Sequence, residues 1–359
     1  MKIAVIGDKF VKNKIFNQVL RNHLNWIEDL SFSGYQLDWP STPLENGGEV
    51  REYVGNDDAV ASLAAEADIL VTNVAPITEK VINASARLKV IGCCRGGVVN
   101  VNVTAATRKG IPVLYTPGRN APVVAEFTVG LILSEVLNIA RAHARLMQRQ
   151  WSGQFYVYED SGFELENKVA GIIGLGAIGQ RVAKLLRAVG MSILAYDPFV
   201  ADDIFDECGA KSVSLDELLK MSDVVSLHAR ETVDTHNMIS GEKIRLMKPT
   251  AYLINTARGG LLDYDALRHA LKSKVIAGAA LDVFATEPLP QEDPLYDLDN
   301  ITITPHIGGS SKETAYRSVA ILAADIRRYL LGLSVAHCKN PEVLHTAFDK
   351  KDVLGLREG

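Results

Sequence analysis

The feature that most constrains the fold is a glycine-rich segment in the middle of the chain. The apolar run Ala170–Ile173 is followed by Gly174, Gly176 and Gly179. This Gly-x-Gly-x-x-Gly spacing predicts a buried strand, a tight turn and the start of a helix. In such a turn the first glycine permits the tight bend, the second lets the backbone approach a pyrophosphate, and the third lets the helix pack on the sheet. The helix N-terminus then offers free N–H groups to phosphates.

An acidic residue after the next strand completes this pattern. The β-rich run Ile193–Tyr196 ends at Asp197, eighteen residues after Gly179. A carboxylate here accepts hydrogen bonds from ribose hydroxyls and repels a 2′-phosphate, so the sequence favours NAD over NADP. The glycine motif alone could be an ordinary tight turn between a strand and a helix. Its context between two strands favours a dinucleotide site.

Bulk properties limit the classes of protein that this chain can belong to. A length of 359 residues suggests two domains. The net charge of −5 and the pI of about 5.9 argue against nucleic acid or an anionic membrane as partner. No apolar run reaches the roughly 18 residues of a membrane span, and the N-terminus lacks the pattern of a signal peptide. The four cysteines match no metal template, so we expect no metal, reduced thiols and a cytoplasmic location.

The first part of the chain alternates short strands with helices, which is typical of a parallel α/β sheet. The predicted strands are Lys2–Ile6, Asp68–Val71, Lys89–Ile91 and Val113–Leu114, and the predicted helices are Val11–Leu24, Asp57–Ala65 and Val103–Lys109. The turn after the first strand, at Gly7, lacks the second and third glycines. We therefore expect a second doubly wound unit without a nucleotide site.

Helical spacing of apolar residues predicts one long helix over Val123–Gln148, which could form core, cross between domains or build a dimer interface. The later predicted strands are Val224–Leu227, Tyr252–Asn255, Ala277–Leu281 and Ile301–Thr304, with helices at Leu215–Lys220, Gly241–Leu246 and Tyr264–Ser273. A last helix, Lys312–Leu331, is expected to return to the first domain, and the polar tail 340–359 to form a surface extension.

Four polar side chains follow the late strands at points where ligands bind in open α/β sheets. They are Arg258, Asp282, Glu287 and His306. Each has a plain structural alternative: a solvated charge on a turn, a loop boundary, or a histidine that is simply hydrogen-bonded. Together they supply an anion binder, two acids and an imidazole at one edge of a sheet.

The order of these motifs resembles the D-isomer-specific 2-hydroxyacid dehydrogenase family, which includes 3-phosphoglycerate dehydrogenase. The resemblance extends over about residues 60 to 325 and rests on the glycine turn, Asn-Thr-Ala-Arg-Gly-Gly, Asp-Val-Phe-x-x-Glu-Pro and Pro-His-Ile-Gly-Gly. It implies an α/β fold of two doubly wound parallel-sheet domains. A Rossmann NAD domain, 119–311, would be inserted into a flavodoxin-like substrate domain, 1–118 plus 312–359.

The resemblance also implies roles for individual residues. His306 would be the acid/base, Glu287 would orient its ring and favour the imidazolium, and Arg258 would bind the substrate carboxylate. The cofactor contacts would be Gly174, Gly176, Ala177, Ile178, Gly179, Asp197, His228, Thr256, Ala257, Arg258, Asp282, His306, Gly308 and Gly309. Of these, Asp282 would meet the nicotinamide end and His228 would be structural or adjacent to the cofactor.

The predicted substrate loop departs from the family pattern. Arg95 stands where the family usually has glycine, while Gly97 and Asn100 are kept. With Arg258, the expected substrate contacts are Arg95, Gly96, Gly97 and Asn100. We hypothesise that Arg95 adds a cation suited to a phosphorylated or polyhydroxylated acid. A surface arginine paired elsewhere is the open alternative.

The sequence thus predicts an NAD-dependent oxidoreductase that interconverts a D-2-hydroxy acid and its 2-keto acid, similar to phosphoglycerate dehydrogenase. The alternatives are a glyoxylate/hydroxypyruvate or sugar-acid reductase, or a non-catalytic NAD(H)-sensing protein similar to corepressors of this fold. The expected partners are a small-molecule acid and a second copy of the chain, with no nucleic acid and no membrane. Because the chain ends at residue 359, we expect no C-terminal serine-sensing domain.

Overall fold

The computed structural model describes residues 1–40 and 44–345. The chain divides into two compact units, one comprising Met1–Arg119 and the chain from Ser311 onward, the other Asn120–Ser310. Each unit is built around its own parallel sheet with helices on both faces. The fold class predicted from the sequence, two doubly wound α/β sheets, is confirmed.

The sheet of the first unit has five parallel strands in the order β2-β1-β5-β6-β7. Its elements before residue 119 are β1 (Lys2–Gly7), α1 (Asn13–His23), β2 (Ser31–Gln36), the hairpin strands β3 (Glu45–Gly47) and β4 (Val50–Tyr53), α2 (Asp57–Ala64), β5 (Ile69–Thr72), α3 (Glu79–Asn83), β6 (Val90–Cys93), α4 (Val103–Arg108) and β7 (Val113–Tyr115). With the hairpin set aside, this is the flavodoxin-like order 2-1-3-4-5.

The sheet of the second unit has seven parallel strands in the order β10-β9-β8-β11-β12-β13-β14. Its elements are α5 (Ala121–Val136), α6 (Ile139–Met147), β8 (Val169–Ile173), α7 (Gly179–Ala188), β9 (Ser192–Tyr196), α8 (Asp202–Cys208), β10 (Ala210–Ser212), α9 (Leu215–Met221), β11 (Val224–Leu227), α10 (Gly241–Ile244), β12 (Tyr252–Asn255), α11 (Tyr264–Lys272), β13 (Gly278–Leu281) and β14 (Ile301–Ile303). The last helix, α12 (Lys312–Leu330), returns to the first unit. Short 3₁₀ helices lie at Gly153–Tyr156, Gly259–Leu261, Pro294–Asp297 and Pro341–His345.

Alternation along the central strands explains why the sheets are covered on both faces. In β1, Ile3 and Val5 enter one hydrophobic cluster, while Ala4 and Ile6 enter another on the opposite face. Because both faces of a parallel sheet are buried, such strands are continuously apolar. The same division holds in the second unit, whose strands also separate two clusters.

The strand order of the second unit places its switch point at the predicted dinucleotide turn. The order corresponds to the Rossmann arrangement 3-2-1-4-5-6 with one further strand. Strand β8 pairs with β9 on one side and with β11 on the other. The chain therefore leaves β8 at Gly174 and β11 at His228 on either side of the crevice where the order reverses.

The prediction of one helix over Val123–Gln148 is wrong. The structure has two helices, α5 and α6, bent by 68° at a break around Asn138. Asn138 adopts a left-handed backbone with φ of 59°, which asparagine tolerates better than most residues. Its side-chain amide donates a hydrogen bond to the Asp160 carbonyl at 3.0 Å, which holds the break. In the described part of the chain no single helix could span a membrane, and the bent pair passes that test by length and composition only.

Several short elements were not predicted from the sequence, namely β2, the β3–β4 hairpin, α3, α8 and β10. Strand β2 is an edge strand whose residues are half-buried or exposed, so it lacks a continuous apolar run. The predicted surface extension falls mostly on residues 346–359, which lie outside the described residues.

Candidate active site

The three glycines of the dinucleotide turn differ in what surrounds them. Gly174 has φ of +93°, and a Cβ there would lie 2.6 Å from the Ala229 nitrogen. A Cβ on Gly179 would lie 2.0 Å from the Gly174 carbonyl oxygen, so the start of α7 packs directly on the turn. Gly176, in contrast, has nothing within 4 Å of its Cβ position. Open space thus lies where a ligand would approach the backbone.

The start of α7 presents unpaired donors. Within the described residues, no group accepts a hydrogen bond from the backbone N–H groups of Gly176, Ala177 or Ile178. Asp197 lies beside the same turn, where its carboxylate accepts from Leu175 N at 2.7 Å and from Phe199 N at 2.9 Å. Each carboxylate oxygen retains a lone pair, so Asp197 can still accept a ligand hydroxyl.

His228 lies against the other side of the glycine turn. Its backbone N–H donates to the Ile173 carbonyl at 2.7 Å, and its Nε2 lies 2.9 Å from the Ser226 hydroxyl. Its Nδ1 is buried without a hydrogen-bond partner in the described chain. Burial lowers the pKa of His228 to about 3, so the ring is neutral at pH 7. The unpartnered Nδ1, the unpaired N–H groups and the open space at Gly176 all fit a bound dinucleotide.

His306 and Glu287 form a hydrogen-bonded pair at the carboxyl edge of the same sheet. Nδ1 of His306 lies 2.7 Å from Oε2 of Glu287. The other carboxylate oxygen of Glu287 accepts from the Phe284 N–H at 3.0 Å, which fixes the orientation of the carboxylate. Because Glu287 holds Nδ1, the exposed Nε2 is the nitrogen that can exchange a proton with a ligand.

The pair shifts both pKa values toward the charged forms. The hydrogen bond from Glu287 raises the pKa of His306 and outweighs the opposing effect of burial. Burial raises the pKa of Glu287, but the hydrogen bond to His306 and its charge overcome this and leave that pKa below its ordinary value. An imidazolium–carboxylate pair is therefore favoured near neutral pH.

Asp282 holds the turn that carries His306. Its carboxylate accepts hydrogen bonds from the N–H groups of Ile307 at 2.9 Å and Gly308 at 2.8 Å, and from the Thr304 hydroxyl at 2.7 Å. His306 itself has φ of 54°, a left-handed conformation that is strained for a residue with a side chain. Asp282 is 2% exposed, so its main contacts are with this turn, whereas the sequence prediction gave it a cofactor contact alone.

Arg258 is exposed and follows β12. Its Nη1 donates to the Ala257 carbonyl at 2.6 Å, and its charge lowers the pKa values of both His306 and Glu287. A Cβ on Gly259 would lie 2.0 Å from the Phe284 carbonyl oxygen, so the backbone after Arg258 packs tightly on the segment leading to Glu287. The second unit therefore brings Arg258, Glu287 and His306 together as the sequence predicted.

The remaining predicted cofactor residues lie around this edge. Thr256 is mostly buried, and its hydroxyl lies 2.8 Å from that of Thr128 on α5. The Ala257 N–H donates to the Asn255 side chain at 3.1 Å. A Cβ on Gly308 would lie 2.9 Å from the Asp282 carboxylate, and one on Gly309 would lie 2.9 Å from the Asn120 amide. A side chain at either position would therefore require the Asp282 or Asn120 side chain to shift.

The predicted substrate loop lies in the first unit and differs from expectation at two residues. Asn100 is fully buried, and its amide donates to the Ala75 carbonyl at 2.9 Å, so its side chain supports the loop instead of facing a ligand. The guanidinium of Arg95 is paired with the Glu52 carboxylate and donates to the Glu52 carbonyl at 2.8 Å. Gly97 has open space around it, as expected for backbone that a ligand can approach.

Two further residues of this edge were not predicted from the sequence. The Thr304 hydroxyl donates a hydrogen bond to the Asp282 carboxylate, and the Thr304 carbonyl accepts one from the backbone N–H of His306 at 3.0 Å. Phe284 fixes the Glu287 carboxylate through its N–H. The sequence shows that both residues lie next to the two motifs. It does not predict their hydrogen bonds, because these depend on the backbone geometry of the turns.

A Rossmann sheet with unpaired N–H groups at its switch point, a carboxylate-held histidine and an arginine together define the class of nucleotide-dependent dehydrogenases. The family model "D-isomer specific 2-hydroxyacid dehydrogenase, NAD binding domain" matches residues 129–308. The chain belongs to the D-isomer-specific 2-hydroxyacid dehydrogenase family, and its second unit contains the NAD-binding domain of that family.

Individual relatives agree with this family membership. The chain is 41% identical over 292 residues to D-3-phosphoglycerate dehydrogenase of Methanocaldococcus jannaschii, covering 80% of this chain and 55% of that protein. It is 38% identical over 308 residues to glyoxylate reductase of Thermofilum pendens, covering 86% and 87%. A solved D-isomer-specific 2-hydroxyacid dehydrogenase from Polaromonas superposes with a TM-score of 0.76 at 27% identity, covering 94% and 99%. The chain spans about half the length of the phosphoglycerate dehydrogenases that it matches.

Proposed function

We propose that this chain is an NAD-dependent oxidoreductase that interconverts a D-2-hydroxy acid and its 2-keto acid. The observation that carries the proposal is the 2.7 Å hydrogen bond between His306 and Glu287. It lies in the unit that also holds the dinucleotide turn, and it leaves Nε2 available for proton exchange.

Each residue of the triad has a defined task in this reaction. When bound, the nicotinamide supplies or accepts the hydride. His306 gives the Nε2 proton to the carbonyl oxygen of the keto acid, or removes it from the hydroxyl in the oxidising direction. Glu287 holds the proton on Nδ1 and stabilises the charged ring. Arg258 binds the carboxylate of the substrate through its two-pronged guanidinium.

The dinucleotide would be held by the residues of the turn and its surroundings. The N–H groups of Gly176, Ala177 and Ile178 would donate to the pyrophosphate, supported by the helix dipole of α7. The Asp197 carboxylate would accept hydrogen bonds from the ribose hydroxyls, and its negative charge would repel the 2′-phosphate of NADP, which supports NAD as the cofactor. The buried Nδ1 of His228 would gain the hydrogen-bond partner that it lacks.

The first unit would act as the substrate domain, with the backbone of Gly96 and Gly97 as its substrate contacts, because the Arg95 guanidinium is already paired with Glu52. The names of the relatives suggest two kinds of substrate, phosphoglycerate-type and glyoxylate-type acids. NADH oxidation should therefore be measured with glyoxylate, hydroxypyruvate, phosphohydroxypyruvate and pyruvate. Turnover of any of these supports the proposal. Tight NADH binding without turnover of any would refute it and favour an NAD(H) sensor.

We further propose that the chain forms a homodimer through an exposed apolar surface on the second unit. Helix α6 has no buried residue, and Met147 on it is 71% exposed. The segment after it exposes Trp151, Tyr156 and Tyr158, each by 88% or more. Several large apolar side chains exposed within one short stretch of chain fit a self-complementary interface between two copies.

The oligomeric state can be tested by light scattering on the eluting protein. Met147→Glu together with Trp151→Glu should convert a dimer into monomers, because two buried charges would face each other across the symmetric contact. Leu333→Glu is the matched control, since Leu333 is 54% exposed on the first unit. A monomeric parent protein, or a double variant that stays dimeric, would refute the proposal.

A reducing, cytoplasmic location remains part of the proposal. All four cysteines are free thiols, and three of them are buried. Burial raises the pKa of Cys93 to about 11, which makes it a poor nucleophile. Free, unreactive thiols support a reducing compartment.

A further inference from the structure

Arg119 lies at the carboxyl end of the first sheet, and its guanidinium has no hydrogen-bond or ion-pair partner among the described residues. It lies four residues after β7 ends, and its Nη1 is buried. Within residues 1–40 and 44–345, its side chain makes no hydrogen bond or ion pair. The guanidinium makes a cation–π contact with the Phe10 ring, whose centroid is 5.8 Å from Cζ. Arg119 as a whole is half-buried, but its Nη1 is buried without the hydrogen bond that a buried polar atom normally makes, so this arrangement calls for an explanation.

The neighbouring charged groups are already engaged. The carboxylate of Asp8 accepts from the N–H groups of Phe10 and Val11 at 2.7 Å, and from the Asn73 amide at 2.8 Å. Asp8 therefore makes its hydrogen bonds within its own loop and with Asn73, and it interacts with Arg119 through its charge alone. Arg95, the other cation at this edge, is paired with Glu52. Of the two arginines, Arg119 is the one whose side chain makes no hydrogen bond or ion pair within the described residues.

Two more unpartnered polar atoms lie at the same edge. They are the buried side-chain carbonyl oxygen of Asn73 and the buried hydroxyl of Thr116. The strand register aligns Thr72, Cys93 and Tyr115 in one row, so Asn73 and Thr116 both come directly after that row. They extend strands that flank β6, so their backbones are about 10 Å apart given the usual strand spacing.

We propose that Arg119, Thr116 and Asn73 form a subsite of the first unit that binds a second anionic group of the substrate together with a hydroxyl group near that anion. This inference rests on the proposed function and deepens it. Arg119 donates to the anion through its planar fork, and the Thr116 hydroxyl adds a donor. The Asn73 oxygen accepts from the hydroxyl. A phosphate or a second carboxylate supplies the required charge, and Arg119 takes the specificity role that the sequence suggested for Arg95.

The inference is tested by comparing substrates with and without a second anion. In Arg119→Gln, kcat/KM for phosphohydroxypyruvate and for 2-oxoglutarate should fall by about 10- to 100-fold, mainly through KM, since an ionic hydrogen bond is lost. For pyruvate the change should stay below about threefold. Thr116→Val should act in the same direction but more weakly. Arg108→Gln removes a surface cation of the same unit, paired with Glu79, and is the matched control.

Whichever of the two anionic substrates the parent protein uses better identifies the anion as phosphate or carboxylate. Equal losses on pyruvate and on the anionic acids, or no loss on either, would overturn the inference. So would a parent protein that prefers pyruvate to both.

Two measurements keep this test independent of turnover and of folding. Calorimetric binding of 3-phosphoglycerate and of glycerate, with NADH present, reports on the site even if no keto acid is reduced. The parent protein should bind the phosphorylated acid at least tenfold more tightly, and Arg119→Gln should abolish that difference. Because the Arg119 side chain makes no hydrogen bond or ion pair within the described residues that the substitution would remove, Arg119→Gln should melt at the same temperature or higher. A large drop in Tm would instead make Arg119 a structural residue and overturn the inference.

Discussion

Two alanine substitutions in one turn should have opposite effects on stability and on cofactor binding. A Cβ on Gly179 would lie 2.0 Å from the Gly174 carbonyl oxygen, well inside contact distance, and both groups are backbone. Relieving this overlap must move α7 away from β8, which costs about 1–3 kcal/mol of folding free energy or more. At Gly176 a Cβ meets nothing within 4 Å, so Gly176→Ala should leave the free energy of unfolding within about 1 kcal/mol of the parent.

Gly176→Ala, which should leave stability nearly unchanged, should weaken the binding of NADH. The open space at Gly176 is where the pyrophosphate would approach the unpaired N–H groups, and a methyl group there would hold it away. Losing one or two charge-assisted hydrogen bonds at about 1.5–3 kcal/mol each weakens NADH binding by at least tenfold. The assay is calorimetric titration with NADH, alongside urea unfolding of each variant.

A third glycine provides the control for this comparison. Gly130, exposed on α5, also has nothing within 4 Å of its Cβ position. Gly130→Ala should keep the parent affinity for NADH and gain slightly in stability, because alanine favours a helix over glycine. If Gly176→Ala binds NADH as tightly as Gly130→Ala does, the turn is not the pyrophosphate site and the assignment of the cofactor site is wrong.

Three further predictions concern charge. Glu287→Gln removes the partner that raises the pKa of His306, so the basic limb of keto-acid reduction should move to lower pH; an unchanged pH–rate profile would count against the pair. Asp197→Ser removes the charge that repels a 2′-phosphate, so the ratio of kcat/KM for NADPH over NADH should rise by about tenfold or more. His228 has a folded pKa of about 3, below its unfolded value of about 6.5, so its contribution to stability is lost as pH falls below 6.5. At pH 5 that loss is about 2 kcal/mol, and His228→Gln should show correspondingly less acid destabilisation in urea titrations.

The sequence predicted which polar residues lie together at the carboxyl edge of the second sheet, because these residues follow buried strands. Arg258, Glu287 and His306 each come after a largely apolar strand, and parallel strands bring such positions to one edge. The glycine turn was equally clear, because Gly174 and Gly179 are required by a positive φ and by a close backbone approach. Both signals are local in the chain.

Residues whose role depends on distant partners could not be predicted in this way. Asn100 matched a substrate-contacting position, but it is buried and supports the loop through the Ala75 carbonyl. From the sequence, Arg95 is a cation available to a ligand. In the structure its guanidinium instead pairs with the carboxylate of Glu52, which lies forty-three residues earlier in the chain. Arg119 carried no signal, because what distinguishes it is the lack of a partner among the described residues.

The break at Asn138 shows a limit of hydrophobic periodicity. Apolar residues continue at helical spacing on both sides of it, so the pattern favours one helix. A single left-handed residue nevertheless turns the axis by 68°. The consequence is that α6 exposes its apolar residues, and the proposed interface between two copies follows from that local event.

The most direct measurement for the account as a whole is the reaction of His306→Gln with NADH and the best keto acid of the panel. In the parent protein, the hydrogen bond with Glu287 favours the protonated imidazole ring of His306, which can donate a proton to the substrate. Glutamine cannot donate a proton in this way. We expect kcat to fall by about 10²- to 10⁴-fold, while the Kd for NADH stays within about threefold of the parent. A variant that keeps the parent kcat would show that His306 is not the acid/base, and the proposed mechanism would be wrong.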